Sequence, residues 1–385
     1  MGIIKCSDKK TLIYTIMYIV MGFSSMYYNS MYKSFEWPIW IFAHIPQAIF
    51  YTLGLYKIFI LDYHQKKELL LIIIFAIINI ITLFETNLEV AFLFFFFAIF
   101  AAKDVNYKLF IKYYFIFIVF LFIFIFLSSL VGIIPNLDQG GRKCFGIISP
   151  TDFGAYVFYF FLIYSFLTKK HRLSYIIIGF SLALFIIKFS RARLDFGMII
   201  ITIISILICD YNKKFFSNRI IKIAVIFSPI ILILLTSVLT IMYNDTNIFI
   251  LKIDRLLSGR IMLMNKAYNE YPITLFGQVL PLNGWGWSKN PIEGDFFFLD
   301  NYYSLSLYKF GLIQFIILWS IIILSLIYAY KINDIKMVIV FLMLSGTSFV
   351  DHHIIELSYN PFFVFSGLAI YDLLNSRDSK QITKS

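Results

Sequence analysis

The sequence predicts an all-α, polytopic membrane protein. Of the 385 residues, 60% are hydrophobic and only 14% are charged, and the mean hydropathy is +0.83. Soluble domains carry about 25% charged and about 45–50% apolar residues, so this composition lies far outside their range. Apolar runs of about 20 residues, the length of a helix that crosses a bilayer, use nearly the whole chain. We therefore expect one integral membrane unit without a separate soluble domain.

Twelve apolar segments separated by polar connections are the expected transmembrane helices. They are Thr11–Tyr28, Trp37–Leu61, Leu69–Leu83, Leu88–Ala102, Tyr113–Pro135, Asp152–Leu167, Leu173–Phe189, Leu194–Cys209, Ile220–Tyr243, Tyr303–Tyr330, Met337–Val350 and Ile354–Leu374. The third and fourth segments are short, so a re-entrant hairpin is the alternative there. Because they form a pair, either choice leaves the later segments on the same sides.

Lys and Arg residues alternate in density between successive connections. The N-terminus, the connections after the even-numbered segments and the C-terminal tail each hold two or three of the 33 basic residues. Since Lys and Arg concentrate on the cytoplasmic side, both termini are expected in the cytoplasm. The basic start lacks a small-residue cleavage site, which favours an anchor over a removed signal peptide. Topology thus explains most of the net charge of +11, and no nucleic-acid-binding module is present.

The longest polar segment, 244–302, is expected outside the membrane. It divides the chain into nine spans with short loops (1–243), one large extracytoplasmic loop (244–302), and three spans with a cytoplasmic tail (303–385). Trp285 and Trp287 in this loop fit either interfacial anchors or flat apolar faces for sugar rings.

Within the loop, the stretch "RLLSGRIMLMNKAYNEYP" predicts an amphipathic helix. Ser258 is the expected N-cap, and Pro272 follows the end of the helix. Four apolar residues recur at helical spacing, Ile261, Met264, Ala267 and Tyr268, whereas Arg260 and Lys266 belong to the polar side. Such a helix would lie in the membrane interface, although a surface helix packed on the spans would show the same pattern.

Five arginines lie at or near the predicted outer face, where topology gives no reason for them. Arginine grips phosphate with two parallel hydrogen bonds, so the group favours binding of an anionic lipid headgroup, a phosphate or a pyrophosphate. The alternative is that they reach lipid headgroups or pair with local carboxylates. Arg191 and Asp195 would share a helical face, which leaves Arg193 as the better ligand of the two. The five are Arg142, Arg191, Arg193, Arg255 and Arg260.

Two polar groups supply the expected acid–base chemistry. Asp295 and Asp300 end the long loop, and "DHH" at residues 351–353 forms the next outer turn. An imidazole oriented by a carboxylate suits a general base, and Glu356 has the spacing to orient either histidine on a helix. An ordinary polar turn would have the same composition. No metal site is expected, because adjacent residues on a helix point apart, and no nucleotide-binding motif is present.

Four motifs run in order between Arg142 and Asn360: "GRKCFGIISPTDFGAY", "SRAR", "SGRIMLMNKAYNEYPITLFG" and "DNYYSLSLYKFGLI". Together they resemble the bacterial repeat-unit polymerases of O-antigen, capsule and exopolysaccharide assembly, the Wzy class. The layout is also similar to that of O-antigen ligases. The resemblance implies a fully helical glycosyltransferase of the C type that works on the outer face of the bacterial cytoplasmic membrane.

Such an enzyme would transfer a growing glycan from undecaprenyl pyrophosphate to the next carrier-linked repeat unit. The resemblance implies no cofactor and no metal. Its expected partners are the carrier-linked oligosaccharide, the lipid bilayer, a flippase and a chain-length regulator, but no nucleic acid. Arg142, Arg191, Arg193 and Arg260, with Arg255 as a further member, would hold the pyrophosphate. His352 or His353 ranks first as the base, followed by Asp300 and Asp295.

Other functions remain open at this point. A ligase would use the late outer histidine. A lipid-linked oligosaccharide flippase would carry its charges within spans around a central cavity, whereas here the charges gather outside. A non-catalytic scaffold would need no pattern of arginines.

Overall fold

The computed structural model describes residues 6–35, 38, 40–168, 173–212, 214–284, 286 and 294–382. The structure is 73% helical, and β-structure in this part of the chain is limited to three isolated bridges. The prediction of an all-α fold is therefore confirmed.

The described residues form fifteen α-helices, in the order α1 Cys6–Tyr28, α2 Ile45–Tyr56, α3 Lys66–Glu85, α4 Ala91–Phe100, α5 Tyr107–Leu130, α6 Pro150–Leu167, α7 Leu173–Phe189, α8 Arg193–Tyr211, α9 Arg219–Ile226, α10 Ser228–Met242, α11 Ile248–Leu256, α12 Arg260–Glu270, α13 Tyr302–Lys331, α14 Ile335–Thr347 and α15 Phe363–Ile382. The helices fall into two compact units. Unit 1 comprises Met1–Ile80, Val90–Ile163 and Ile355–Ser385, and unit 2 comprises Ile81–Glu89 and Tyr164–Ile354.

Several of these helices can cross a membrane. Within the described residues, α3, α5, α8 and α13 are long and apolar enough, and α9 with α10 would make a fifth span bent by 56°. Pro229 lies in the first turn of α10, and a proline cannot continue the hydrogen-bonded ladder of a preceding helix. Helices α4, α7, α14 and the apolar part of α15 are shorter. The structure thus supports a membrane protein, while twelve spans, the extracytoplasmic loop and the three-part division of the chain remain predictions.

Unit 1 is held together by close helix contacts and by buried charges. α1 packs against α2 and α5, and α4 packs against α15. A Cβ atom on Gly367 would lie 2.2 Å from the carbonyl oxygen of Ile99, so only glycine permits this approach of α15 to α4. The side chains of Lys57 and Asp62 are fully buried and pair at 2.7 Å, and Lys10 joins Asp62 at 3.0 Å.

Helix α13 of unit 2 is broken at Gly311, which has φ 85° and ψ 168°. The break frees backbone N–H groups that a continuous helix would use. Leu312 N donates instead to Thr274 O at 2.9 Å, and Ile313 N donates to Leu275 O at 3.1 Å. The polar segment 274–278 therefore lies along α13 and supplies the acceptors that the broken helix needs.

Two glycines make this approach possible. A Cβ atom on Gly311 would lie 2.3 Å from the backbone nitrogen of Gly277, and one on Gly277 would lie 2.6 Å from Lys309 O. Both residues also have a positive φ, which glycine adopts without steric cost. The backbone of "FGQ" thus packs directly on the backbone of "KFGLI".

We expect Gly311→Ala to lower the free energy of unfolding by about 2–5 kcal/mol, because left-handed strain costs about 1–2 kcal/mol and steric overlap about 1–3 kcal/mol. Thermal unfolding of the purified protein in detergent measures this change. Gly197→Ala is the matched control, since a Cβ atom there meets nothing within 4 Å and the residue is helical. Equal melting temperatures for the two variants would contradict this role of Gly311.

The hairpin that follows α5 buries Cys144. Its thiol is fully buried, and its backbone N–H donates to Leu137 O at 3.1 Å. Burial raises the pKa of the Cys144 thiol to about 12, and only the thiolate reacts rapidly with electrophiles.

In a Cys6→Ser/Cys209→Ser background we expect the native protein to resist maleimide labelling near neutral pH and to react after denaturation. Ile133→Cys adds a loop residue that is 56% exposed and provides the reactive control. Rapid labelling of native Cys144, measured by mass spectrometry, would show that the hairpin does not bury the thiol.

Candidate functional site

Five charged or ionisable side chains meet in unit 2 and form what we name the His–Asp–Arg cluster. Its members come from three separate places in the chain: the start of α12, the residue before the cap of α13, and the turn that follows α14. They are Arg260, Asp300, Asp351, His352 and His353.

A left-handed turn places Arg260. Ser258 and Gly259 have φ values of 61° and 83° and separate α11 from α12. The carboxylate of Asp254 in α11 accepts hydrogen bonds from Ile261 N at 2.7 Å and from Met262 N at 3.2 Å. Asp254 therefore caps α12, and the expectation that Ser258 does so was wrong. Sequence spacing could not show this cap, because it comes from the preceding helix.

The apolar face of α12 agrees with the sequence pattern in part, and Arg260 does not lie on the exposed side. Ile261, Met264 and Ala267 are buried, whereas Tyr268 is 48% exposed and Arg260 only 9%. Its guanidinium donates to Leu257 O at 3.1 Å and pairs with Asp300 at 3.0 Å. Burial of Arg260 thus follows from its place in the first turn of α12, where it reaches back and across to these two oxygens.

Hydrogen bonds between α13 and α14 place Asp300. Asn301 caps α13 by accepting from Ser304 N at 2.9 Å, and its Nδ2 donates to Phe349 O at 2.8 Å. The backbone N–H of Tyr302 donates to Ser348 O at 2.8 Å. These bonds fix the start of α13 to the turn after α14, so Asp300 lies beside the residues that follow Phe349.

The "DHH" turn is not α-helical. Helix α14 ends at Thr347, and a 3-10 turn covers only His353–Ile355. Helical spacing therefore does not relate Glu356 to the histidines, and Glu356 accepts a hydrogen bond from Asn29 within unit 1 at 3.3 Å. The expectation that adjacent histidines point apart was also wrong, because the centroids of their rings lie 4.0 Å apart.

Within the cluster Asp300 bridges a guanidinium and an imidazole. Its Oδ2 contacts Arg260, and its Oδ1 lies 3.7 Å from His352 Nδ1. The carboxylate of Asp351 lies 3.7 Å from the same nitrogen and 3.5 Å from His353 Nε2. Phe298 packs its ring at a steep angle to His352, with centroids 4.9 Å apart. The His352 side chain is 21% exposed and that of His353 4%.

These contacts keep Asp300 ionised. Burial alone would raise the pKa of its carboxyl, but the Arg260 guanidinium and His352 beside it outweigh this effect and hold that pKa below its ordinary value. A carboxylate with a lowered pKa is a weak proton acceptor at neutral pH. Asp300 is therefore better suited to orient His352 than to accept a proton from a substrate.

Asp195 is a further member that the sequence reasoning did not place here. It is buried in the first turn of α8 and interacts electrostatically with Asp351, His353 and Arg260. Pairing of Arg191 with Asp195 on one helical face would require Arg191 to be helical. Helix α8 begins at Arg193, and Arg191 has a φ of 52°, so the two residues do not share a helical face. A carboxylate within an apolar span is itself a signal of function, and that signal could have identified Asp195.

The remaining predicted site residues lie elsewhere. Arg191, Arg193, Arg255 and Asp295 are exposed, and Arg142 is half-buried in the hairpin of unit 1. Trp285 and Trp287 lie outside the described residues. Of the predicted set, the structure brings together Arg260, Asp300, His352 and His353.

A partly open apolar cavity of about 220 Å³ lies between α10, α12 and α13. Apolar and hydroxyl side chains line it, including Thr236, Tyr268, Tyr303 and Phe315. Asn301 Nδ2 donates to the Thr236 hydroxyl at 3.4 Å, so the residue that caps α13 beside Asp300 also contacts the cavity wall.

We expect Arg260 and Asp300 to be strongly coupled, because removal of one partner of a buried ion pair strands the other charge. A double-mutant cycle with Arg260→Ala and Asp300→Ala should give a coupling energy of about 2–3 kcal/mol. The exposed pair Lys143–Asp138, at 2.7 Å, is the matched control and should give under about 1 kcal/mol. Additive effects at Arg260 and Asp300 in chemical unfolding would contradict the buried pair.

Comparison of the chain with protein-family models, with curated proteins and with solved structures finds no match to any of the three. The arrangement of the His–Asp–Arg cluster therefore carries the functional argument.

Proposed function

We propose that the protein is a membrane glycosyltransferase that polymerises undecaprenyl-pyrophosphate-linked oligosaccharide repeat units on the outer face of the bacterial cytoplasmic membrane. The observation that carries this proposal is the Arg260–Asp300–His352 arrangement, in which an ionised carboxylate lies between a buried guanidinium and a partly accessible imidazole. Such a constellation can move a proton and stabilise negative charge at one place.

The proposal includes about twelve spans, with residues 244–302 as the extracytoplasmic loop and both termini in the cytoplasm. The alternating density of Lys and Arg supports this orientation. The short apolar helices α4, α7, α14 and α15 would raise the number of spans from five to nine, and α1, α2 and α6 would supply the other three. The chain would be a multi-pass protein with its chemistry outside.

In the proposed reaction, His352 accepts the proton of an acceptor hydroxyl on the incoming repeat unit. The hydroxyl oxygen then forms a bond to the anomeric carbon of the growing glycan, and the bond from that carbon to the pyrophosphate oxygen breaks. The carrier pyrophosphate leaves with the electron pair. Asp300 stabilises the imidazolium that forms on His352 and holds the ring in position.

Arginines would bind the pyrophosphate on which charge develops. Within the described residues, Nε of Arg260 is buried and has no hydrogen-bond partner, which leaves one donor for a phosphate oxygen. The exposed residues Arg193 and Arg255 offer further guanidinium groups in unit 2. Arg142, in unit 1, stays a prediction from the sequence resemblance.

The cavity between α10, α12 and α13 supports a lipid-linked substrate. Its aliphatic and aromatic walls suit an isoprenoid chain, and one of its lining hydroxyls, that of Thr236, accepts a hydrogen bond from Asn301. An O-antigen ligase would share this machinery, and the products distinguish the two activities. A polymerase gives a ladder of chain lengths, whereas a ligase adds glycan to a lipid core.

We expect Arg260→Lys to lose most polymerisation, by about 10²–10³-fold, because lysine keeps the charge but not the planar fork of donors. The assay supplies purified protein in liposomes with undecaprenyl-pyrophosphate repeat units and resolves the products by gel electrophoresis. Arg219→Lys is the control, since Arg219 is exposed at the start of α9 in a predicted cytoplasmic connection.

Melting temperatures separate loss of activity from loss of fold. Wild-type chain lengths from a folded Arg260→Lys protein would overturn the role of the guanidinium. A wild-type protein that moves carrier-linked units across the membrane without joining them would be a flippase and would overturn the proposed activity.

A further inference from the structure

The non-helical turn after α14 brings three metal-ligand side chains together. Asp351, His352 and His353 each offer one ligand atom, and these atoms all lie within 4.8 Å of one another. Adjacent residues of an α-helix would point apart, and here they converge because α14 ends at Thr347 and only a 3-10 turn begins at His353.

The distances fit a small divalent ion. Zinc bonds to nitrogen and oxygen of about 2.0–2.1 Å in a tetrahedral site put the ligand atoms about 3.3 Å apart. Asp351 Oδ1 lies 3.5 Å from His353 Nε2 and 3.7 Å from His352 Nδ1. All three ligand atoms lie within 4.8 Å of one another, so rotation of the two imidazole rings toward each other would complete this geometry.

A fourth possible ligand atom lies beside one of these three, the Nδ1 of His352. Asp300 Oδ1 is 3.7 Å from His352 Nδ1, while Arg260 holds the other oxygen of that carboxylate. Two imidazoles with a carboxylate form the donor set of many three-ligand zinc sites, in which a fourth position stays open. Asp300 or water would occupy the fourth position here.

The charges of the cluster favour a cation independently of these distances. Two carboxylates, those of Asp300 and Asp351, share this part of unit 2 with one guanidinium, that of Arg260. The side chains of Asp300 and Asp351 are 27% and 13% exposed, and charges withdrawn from water are stable only when they are paired or bind a metal. Arg260 balances one of these two negative charges, and a divalent ion would balance the other.

We propose that Asp351, His352 and His353 bind a divalent transition-metal ion of the Zn²⁺ and Co²⁺ type, with Asp300 at the fourth position. This binding does not rest on the glycosyl transfer proposed above. If that function holds, a cation on Nδ1 of His352 would displace Asp300 from that nitrogen and disfavour protonation of the same ring at Nε2, so the ion would act as an inhibitor.

The test uses full-length protein without an oligohistidine tag, purified in detergent, treated with a chelator and titrated with Co²⁺. We expect saturation at one ion per chain, with the visible absorption of tetrahedral or five-coordinate Co²⁺, and displacement by Zn²⁺. Asp351→Asn should weaken binding at least tenfold. His44→Asn is the control, since His44 is exposed in unit 1 and should leave binding unchanged.

His353→Cys gives a second readout that does not depend on loss of binding. A thiolate is also a zinc and cobalt ligand, so this variant should keep the ion and acquire a sulfur-to-cobalt charge-transfer band in the near ultraviolet. Absence of saturable Co²⁺ absorption in the wild-type protein would overturn the site. Binding that Asp351→Asn leaves unchanged, with no charge-transfer band in His353→Cys, would also overturn it. Adding a chelator to the polymerisation assay keeps its outcome separate from both of these results.

Discussion

Unit 2 depends on the need of α13 to satisfy its backbone hydrogen-bonding groups where it starts and where it breaks. An unpaired N–H or carbonyl group in a low-dielectric interior costs several kcal/mol, so each freed donor must find an acceptor within the protein. Segment 274–278 supplies the acceptors at the break near Gly311. Asn301 and the end of α14 supply the partners at the start.

This constraint also explains where the His–Asp–Arg cluster lies. Asn301 cannot cap α13 and bond Phe349 O without bringing Asp300 to the turn that carries His352. Arg260 arrives through the left-handed turn before α12 and neutralises part of the charge that collects there. The site thus forms where the start of α12, the start of α13 and the end of α14 meet. Residues from all three places are needed to form it.

The two units treat buried charge in different ways. In unit 1 each buried anion has a lysine beside it: Asp62 contacts Lys57 and Lys10, and Glu68 contacts Lys103 at 2.6 Å. That balance suits a structural role, since paired charges in an interior resist change. In unit 2 the described carboxylates of the His–Asp–Arg cluster outnumber its one guanidinium. The remaining members of the cluster are two histidines. The net charge of the His–Asp–Arg cluster therefore changes when a proton, a phosphate or a metal ion binds to it. Such a cluster is suited to catalysis and to regulation.

The sequence by itself determined the fold class. Apolar runs of about 20 residues match the length of a membrane-spanning helix, and an α-helix satisfies all of its backbone hydrogen bonds within one segment. It also identified Arg260 as an arginine that topology does not explain, and Asp300, His352 and His353 as candidate acid–base groups. Tertiary structure alone decided that these four meet, that Asp254 caps α12, that Asp195 joins the cluster, and that the two histidines lie together. Each of these depends on hydrogen bonds between segments distant in sequence, or on a left-handed or non-helical turn that periodicity does not reveal.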